Sequence, residues 1–181
     1  MAESTGQRAA LELFALLLHS RRNIVFAESC TAGLIAATMG RLPGVSEVLA
    51  GSAVVYQIPT KVAWLGIRQS DVDEHGVVSQ VVSEQMAEHV LRQTPHAAVA
   101  ASVTGHLGPD APADLDGTAW TTVALRKGND MLVHSRKLQL MPPPASSSDA
   151  AGLRVARQER AVTEVLQFCL DVLRETSPGL A

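Results

Sequence analysis

Three short segments of this chain carry side chains able to do amide or phosphate chemistry. The first is Ala27-Glu28-Ser29-Cys30-Thr31-Ala32-Gly33. Apolar Ile24-Val25-Phe26 precedes it and helix-forming Leu34-Ile35-Ala36-Ala37-Thr38-Met39 follows. It therefore reads as strand, tight turn, helix. Such a turn presents hydroxyls and unpaired backbone N–H groups at a helix start, where negative charge is favoured. A nucleophile, an oxyanion hole and a phosphate cradle all suit it. The second segment holds Tyr56 and Lys61, and the third is Thr104-Gly105. All three fall at the ends of predicted strands, where parallel α/β sheets gather their sites.

The positioning elements follow from apolar spacing. Leu11, Phe14, Ala15 and Leu18 mark a helix over 5–21, capped by Ser4 or Thr5. Further helices are predicted over 31–39, 59–65 and 70–74. Another opens at Ser79 or Ser83 and runs to about Gln93, and the last covers 153–175. Strands are predicted over 24–28, 48–56, 97–104, 117–126 and 131–140, with a hairpin turn at Lys127–Asp130 and a bulge near Gly51. An irregular loop covers 106–116, and the Pro/Ser-rich stretch 141–152 reads as a flexible connection before the last helix. Residues 177–181 read as a frayed tail. Helices alternating with strands and then a hairpin predict an α/β three-layer sandwich, a mixed β-sheet flanked by helices. One domain over 1–181 is expected, with its core at about 8–170.

Bulk properties narrow the function. Hydrophobic residues make up 46% of the 181, but aromatics only 3%, so small and branched aliphatics must build the core. A net charge of −3 without a dense Lys/Arg run argues against nucleic-acid binding. The apolar run 11–18 is too short to span a bilayer and is broken by Glu12, so no membrane partner is expected. The start of the chain lacks the basic n-region of a signal peptide. Two distant thiols, Cys30 and Cys169, make neither a disulfide framework nor a zinc site, and the six histidines show no ligand spacing. A reduced, cytoplasmic protein is expected.

The first segment resembles the AESCTGG signature of the CinA carboxy-terminal domain family, which includes nicotinamide-nucleotide amidases. Leu42-Pro43-Gly44-Val45-Ser46, Gly51 through Tyr56, Lys61, Leu65-Gly66, His75-Gly76-Val77-Val78-Ser79, Val103-Thr104-Gly105, Gly108-Pro109 and Gly117-Thr118 fall in the family's order and spacing. The resemblance covers about residues 8 to 170. Many members carry a separate amino-terminal domain, and this chain looks like the stand-alone form. The resemblance implies an α/β fold and hydrolysis of the carboxamide of nicotinamide mononucleotide to nicotinic acid mononucleotide and ammonia. It implies a serine nucleophile with a lysine, no metal or organic cofactor, a small-molecule pyridine nucleotide as partner, and a homo-oligomer.

On that reading Ser29 is the nucleophile, against the alternative of an ordinary helix N-cap. Lys61 is the base, against a solvated surface charge. Its apolar flanks, Val62, Ala63 and Trp64, suggest burial. A neutral lysine at neutral pH needs its pKa lowered by roughly 3, at about 4 kcal/mol, and Glu28 nearby would oppose that unless it points away. Tyr56 either relays a proton and orients the lysine or simply packs at a strand end. Backbone N–H groups around Thr31–Gly33 are expected as oxyanion donors. Glu28, Cys30, Thr31, Ala32, Gly33, Thr104, Gly105 and Arg154 are expected to line the substrate site, with Cys30 a buried structural thiol rather than a rival nucleophile. His106 is read as a loop residue and Arg157 as either a phosphate ligand or part of a solvated face. Three departures matter. Ala32 stands where the family has glycine, which hinders a positive φ. The segment after Gly108-Pro109 carries Asp110, Asp114 and Asp116, which would repel a phosphate if they faced it. Leu153 replaces the aspartate of a Gly-Asp-Arg motif, leaving Gly152-Leu153-Arg154. A substrate-shifted amidase, or a silent nucleotide-binding or regulatory relative, is the alternative function.

Overall fold

Alternation along the first strand sorts the whole core. In β1 (Ile24–Glu28), Ile24 and Phe26 face one helical layer, while Val25 and Ala27 face the other. The structure, a computed structural model, describes residues 4–141 and 150–176. It contains α1 (Thr5–Ser20), β1, α2 (Leu34–Met39), β2 (Leu49–Val54), α3 (Ile58–Leu65), α4 (Gln69–His75), α5 (Gln80–Gln93), β3 (Val99–Gly105), β4 (Thr118–Lys127), β5 (Asp130–Gln139) and α6 (Ala150–Thr176). The sheet order is β2-β1-β3-β4-β5. β1 pairs parallel with β2 and β3, and the β3–β4 and β4–β5 pairs are antiparallel. This is the expected α/β sandwich on a mixed sheet.

On one face Leu13 and Leu17 of α1, Ile35 and Met39 of α2, and Val165, Leu166 and Cys169 of α6 cover Phe26, Val99, Ala101 and Val123. On the other face Val82, Met86, Val90 and Leu91 of α5 cover Val25, Ala27, Ala100 and Ala124. The small sheet residues let α5 approach closely. Burying each of these branched side chains contributes about 1.5–3 kcal/mol.

Local signals hold most element ends. Ser4 caps α1 in a capping box with Gln7, and Ser79 caps α5. Ser83, the other candidate cap, is instead fully buried and bonded to Ser102 and Thr122. The register of β1 on β2 slips between Ile24 and Val25, which face Leu49 and Gly51. This is the bulge expected near Gly51. Most boundaries fall within two residues of expectation, and β3 begins at Val99 rather than Ala97. α2 begins at Leu34, not Thr31, because Ala32 and Gly33 have φ of 52° and 95°. β2 stops at Val54 rather than Tyr56. α6 begins at Ala150, three residues before Leu153. The rest of the expected connection, 142–149, and the tail 177–181 lie outside the described residues. Among the described residues, no helix is long and apolar enough to cross a membrane.

Candidate active site

The three parallel strands deliver the candidate side chains to one edge of the sheet. β1 runs between β2 and β3, and all three end there. Ser29 follows β1 directly, and its N–H still donates to Val103 O at 3.1 Å. Val55 N–H donates back to Glu28 O at 2.8 Å. The chain then turns into α3, whose first turn carries Lys61.

Lys61 is fully buried. Its Nζ donates to Ser29 Oγ at 2.8 Å, to Val55 O at 2.7 Å and to Tyr56 O at 3.1 Å. All three partners are uncharged. Burial therefore pushes its pKa down, to about 8, opposed by the electrostatic influence of Cys30. The geometry gives each protonation state a role. An ammonium offers three donors. Once it loses one proton, the two carbonyls still hold the two N–H groups, and the lone pair is left facing the Ser29 hydroxyl. The expected apolar flanks do not cause the burial. Ala63 is exposed and Trp64 is 61% exposed. The ends of β1 and β2 cover the amine instead.

Glu28 points away from Lys61. Its carboxylate is fully buried and accepts five hydrogen bonds. Oε2 takes Thr31 Oγ1 at 2.8 Å, Gly33 N at 3.0 Å and Ile35 N at 3.1 Å. Oε1 takes Ala36 N at 3.0 Å and Ser52 Oγ at 3.0 Å. The chain thus supplies its own anion to the start of α2, where a negative charge is stabilised. This corrects two expectations. Glu28 is a structural anion, not a substrate contact. The Gly33 N–H is spent on Glu28, and the Ala32 N–H on Ser29 O at 3.0 Å, so neither remains for an oxyanion. Thr31, Ala32 and Gly33 shape the turn from outside the pocket wall.

A cavity of about 310 Å³ opens beside Ser29, with walls that include Cys30, Tyr56, Thr104, Gly105, His106, Asp110 and Arg154. Its size is at the lower end of ligand pockets, ~300–1,000 Å³. Cys30 is 3% exposed and burial pushes its thiol up to about 12, so it stays protonated. Thr104 Oγ1 donates to Val77 O at 3.0 Å, tying β3 to the turn after α4. Gly105 must be glycine, because a β-carbon there would sit 2.6 Å from Ala119 Cβ and 3.2 Å from Cys30 Sγ. Arg154 donates to Gly108 O at 2.8 Å and to the Tyr56 hydroxyl. Tyr56 therefore orients Lys61 through its carbonyl, while its phenol serves Arg154. His106 lies in the pocket wall as well as in the loop.

The loop aspartates have separate fates. Asp116 meets Arg157 in two bonds of 2.7 and 2.6 Å. Arg157 also donates to Leu107 O at 3.3 Å and to Leu140 O at 3.2 Å, and it is 5% exposed. It is neither a solvated residue nor a pocket residue, but a buried clamp joining α6 to the loop and to the end of β5. Its carboxylate partner is held below the usual range by those hydrogen bonds. Gly108 and Gly117 make room for it, since a β-carbon at Gly108 would lie 2.7 Å from its Nη1. Asp114 is absent from the wall, and Asp110 is part of it. Sequence reading missed Val77, Val78 and Leu107 in the wall and Gln158, whose Nε2 donates to Cys30 O at 3.0 Å. Apolar wall residues carry no chemical signal, and Gln158 reaches Cys30 from far along the chain. A larger cavity, about 600 Å³ between α1, α2 and α6, contains neither Ser29 nor Lys61.

A model of the CinA C-terminal domain matches residues 6–169. A CinA-like protein of Mycobacterium leprae (strain TN) is 35% identical over 167 residues, covering 91% of this chain and 36% of that protein. A CinA-like protein of Mycobacterium tuberculosis (strain ATCC 25177 / H37Ra) is 36% identical over 171 residues, covering 93% of this chain and 35% of that protein. The chain thus spans about a third of the length of these relatives. The crystal structure of competence/damage inducible protein CihA from Agrobacterium tumefaciens superposes with a TM-score of 0.81 at 25% identity, covering 96% of this chain and 98% of the other. A CinA superfamily protein from Klebsiella pneumoniae 700603 shares the fold, with a TM-score of 0.82 at 19% identity over 96% and 99% of the two chains. Matched from residue 6 to residue 169, the chain belongs to the CinA C-terminal domain family.

Proposed function

We propose that this chain is a nicotinamide-nucleotide amidase, hydrolysing the carboxamide of nicotinamide mononucleotide to nicotinic acid mononucleotide and ammonia. The observation that carries the reading is the buried Lys61 Nζ at 2.8 Å from Ser29 Oγ, with both flanking carbonyls already satisfied. An amide is a poor electrophile, so a serine attacking it needs a base within hydrogen-bond reach. Neutral Lys61 takes the Ser29 proton as Oγ bonds to the carboxamide carbon. The lysine then returns that proton to the leaving nitrogen, and ammonia departs from a Ser29 ester. Water, deprotonated by the same lysine, attacks the ester carbon; the C–Oγ bond breaks, the lysine returns that proton to Ser29 Oγ, and the acid product leaves as its carboxylate.

Developing negative charge on the amide oxygen needs donors. Among the described residues of this turn, Cys30 is the one after Ser29 that lines the pocket, and its N–H is not given to another residue's acceptor. A silent nucleotide-binding relative would have no need to keep a buried lysine on its serine, and this weighs against that alternative. The test is ammonia release from nicotinamide mononucleotide by the wild type, Ser29→Ala and Lys61→Ala. Release by the wild type and its loss in both variants is expected. Undiminished turnover in Ser29→Ala would overturn the nucleophile. No release by a folded wild type would overturn the reaction.

A further inference from the structure

The pocket wall contains two opposite charges that do not neutralise each other. Arg154 spends its guanidinium on neutral acceptors, Gly108 O and the Tyr56 hydroxyl. Asp110, exposed to solvent at the pocket's edge, makes no ion pair or side-chain hydrogen bond among the described residues. Both line the cavity beside Ser29. The contrast with the same loop is informative. Asp116 meets its arginine in two short bonds, so this loop can pair a carboxylate with a guanidinium where the fold requires it. Arg154 and Asp110, facing one cavity, are left apart. A wall with one unpaired cation and one unpaired anion suits a ligand carrying both charges, because each wall charge then gains a partner without the two wall groups having to meet.

We infer that Asp110 is a specificity-determining residue that selects a substrate with a cationic group beside its scissile carboxamide. The inference rests on the amidase reading and adds the charge class of the substrate to it. A nicotinamide ring bearing a sugar on its nitrogen is a pyridinium, positively charged and attached directly to the carboxamide. Asp110 stabilises that ring charge in the pocket, and Arg154 of α6 remains for the anionic end.

The test compares nicotinamide mononucleotide with benzamide riboside 5′-phosphate, in which carbon replaces the charged ring nitrogen. The amide and the phosphate are kept. Dissociation constants for both are measured on Ser29→Ala, with and without Asp110→Asn, so that no turnover intervenes. Ammonia release from both is measured on the wild type and on Asp110→Asn. Asp110→Asn is expected to weaken the cationic ligand about tenfold, the effect of one unit charge at contact range in a partly screened site. The neutral isostere is expected to change less than twofold. Equal changes for both ligands, or no change for the cationic one, would overturn the inference. If neither ligand binds Ser29→Ala, the inference is overturned too. If the tenfold selectivity shift is present but the wild type releases no ammonia, the amidase reading fails while the charge recognition stands.

Discussion

Replacing Lys61 by methionine isolates the chemistry of the buried amine, because methionine keeps the length and removes the charge. The pKa of Lys61 falls from the ordinary 10.5 to about 8 through burial. At 1.36 kcal/mol per pH unit, holding the ammonium inside the fold costs about 3 kcal/mol. The folded pKa lies below the unfolded one, so between pH 8 and pH 10.5 the unfolded chain binds more protons. Folding stability of the wild type should therefore rise with pH across that window, by at most about 3 kcal/mol, and be flat in this group below it. The same amine must be neutral to act as a base. kcat/KM should then climb tenfold per pH unit and level off above about pH 8, with about a tenth of the molecules competent at pH 7. Lys61→Met should lose ~100- to 10,000-fold in kcat and abolish the pH-dependent rise in stability. The checks are urea titrations from pH 6 to 10.5 on both proteins and a pH–rate profile on the wild type. A wild-type rate that levels off near pH 6, or a stability difference between the two proteins that does not change between pH 8 and 10.5, would refute this account of Lys61.

Other substitutions test the supports of the site. Glu28→Gln places an amide N–H₂ against backbone donors that now share a carboxylate, and should cost about 3 kcal/mol in thermal unfolding. In whatever fraction folds it should lower kcat more than it raises KM, because the Ser29 turn loses its anchor; an unchanged kcat would show that the turn holds itself. Ala32→Gly relieves a φ of 52° and should raise the chemical unfolding midpoint by the equivalent of about 1 kcal/mol, less any added freedom of the unfolded chain. Asp116→Asn strips the buried Arg157 of its counter-charge. The cost should be about 2 kcal/mol, below that of a fully buried pair because the Asp116 side chain is 37% exposed. Since Asp116 is held below the usual carboxylate range, the wild type loses this contribution as pH falls through the folded pKa, and Asp116→Asn should lack that acid-dependent loss in denaturation midpoints.

The sequence by itself determined the local structure and the chemical inventory. Helices alternating with strands along the chain were enough to place helices on both faces of the sheet, because parallel strands are joined by helical crossovers that cover them. Pro59 and Gly66 marked the ends of α3 through backbone geometry that each residue carries alone, while the starts of α1 and α5 were narrowed to Ser4 or Thr5 and Ser79 or Ser83, whose hydroxyls can cap a helix. The small hydroxyl turn around Ser29 was legible for the same reason. Partnership was not legible, because it depends on which groups the packed sheet brings together and shields from water. Lys61 with Ser29 was the exception, expected from the resemblance and the neighbouring strand ends, but only tertiary structure decided that the amine is buried 2.8 Å from Ser29 Oγ and that its burial comes from strand ends rather than from its apolar neighbours. It gave Glu28 to the start of α2 rather than to the substrate. It sent Arg154 to Tyr56 and turned Arg157, three positions on along the same helix, inward to Asp116, a fate that neither reading of Arg157 from the sequence contained. A charge takes its role from the desolvation and the partners that the fold imposes on it, and neither is encoded in the residues beside it.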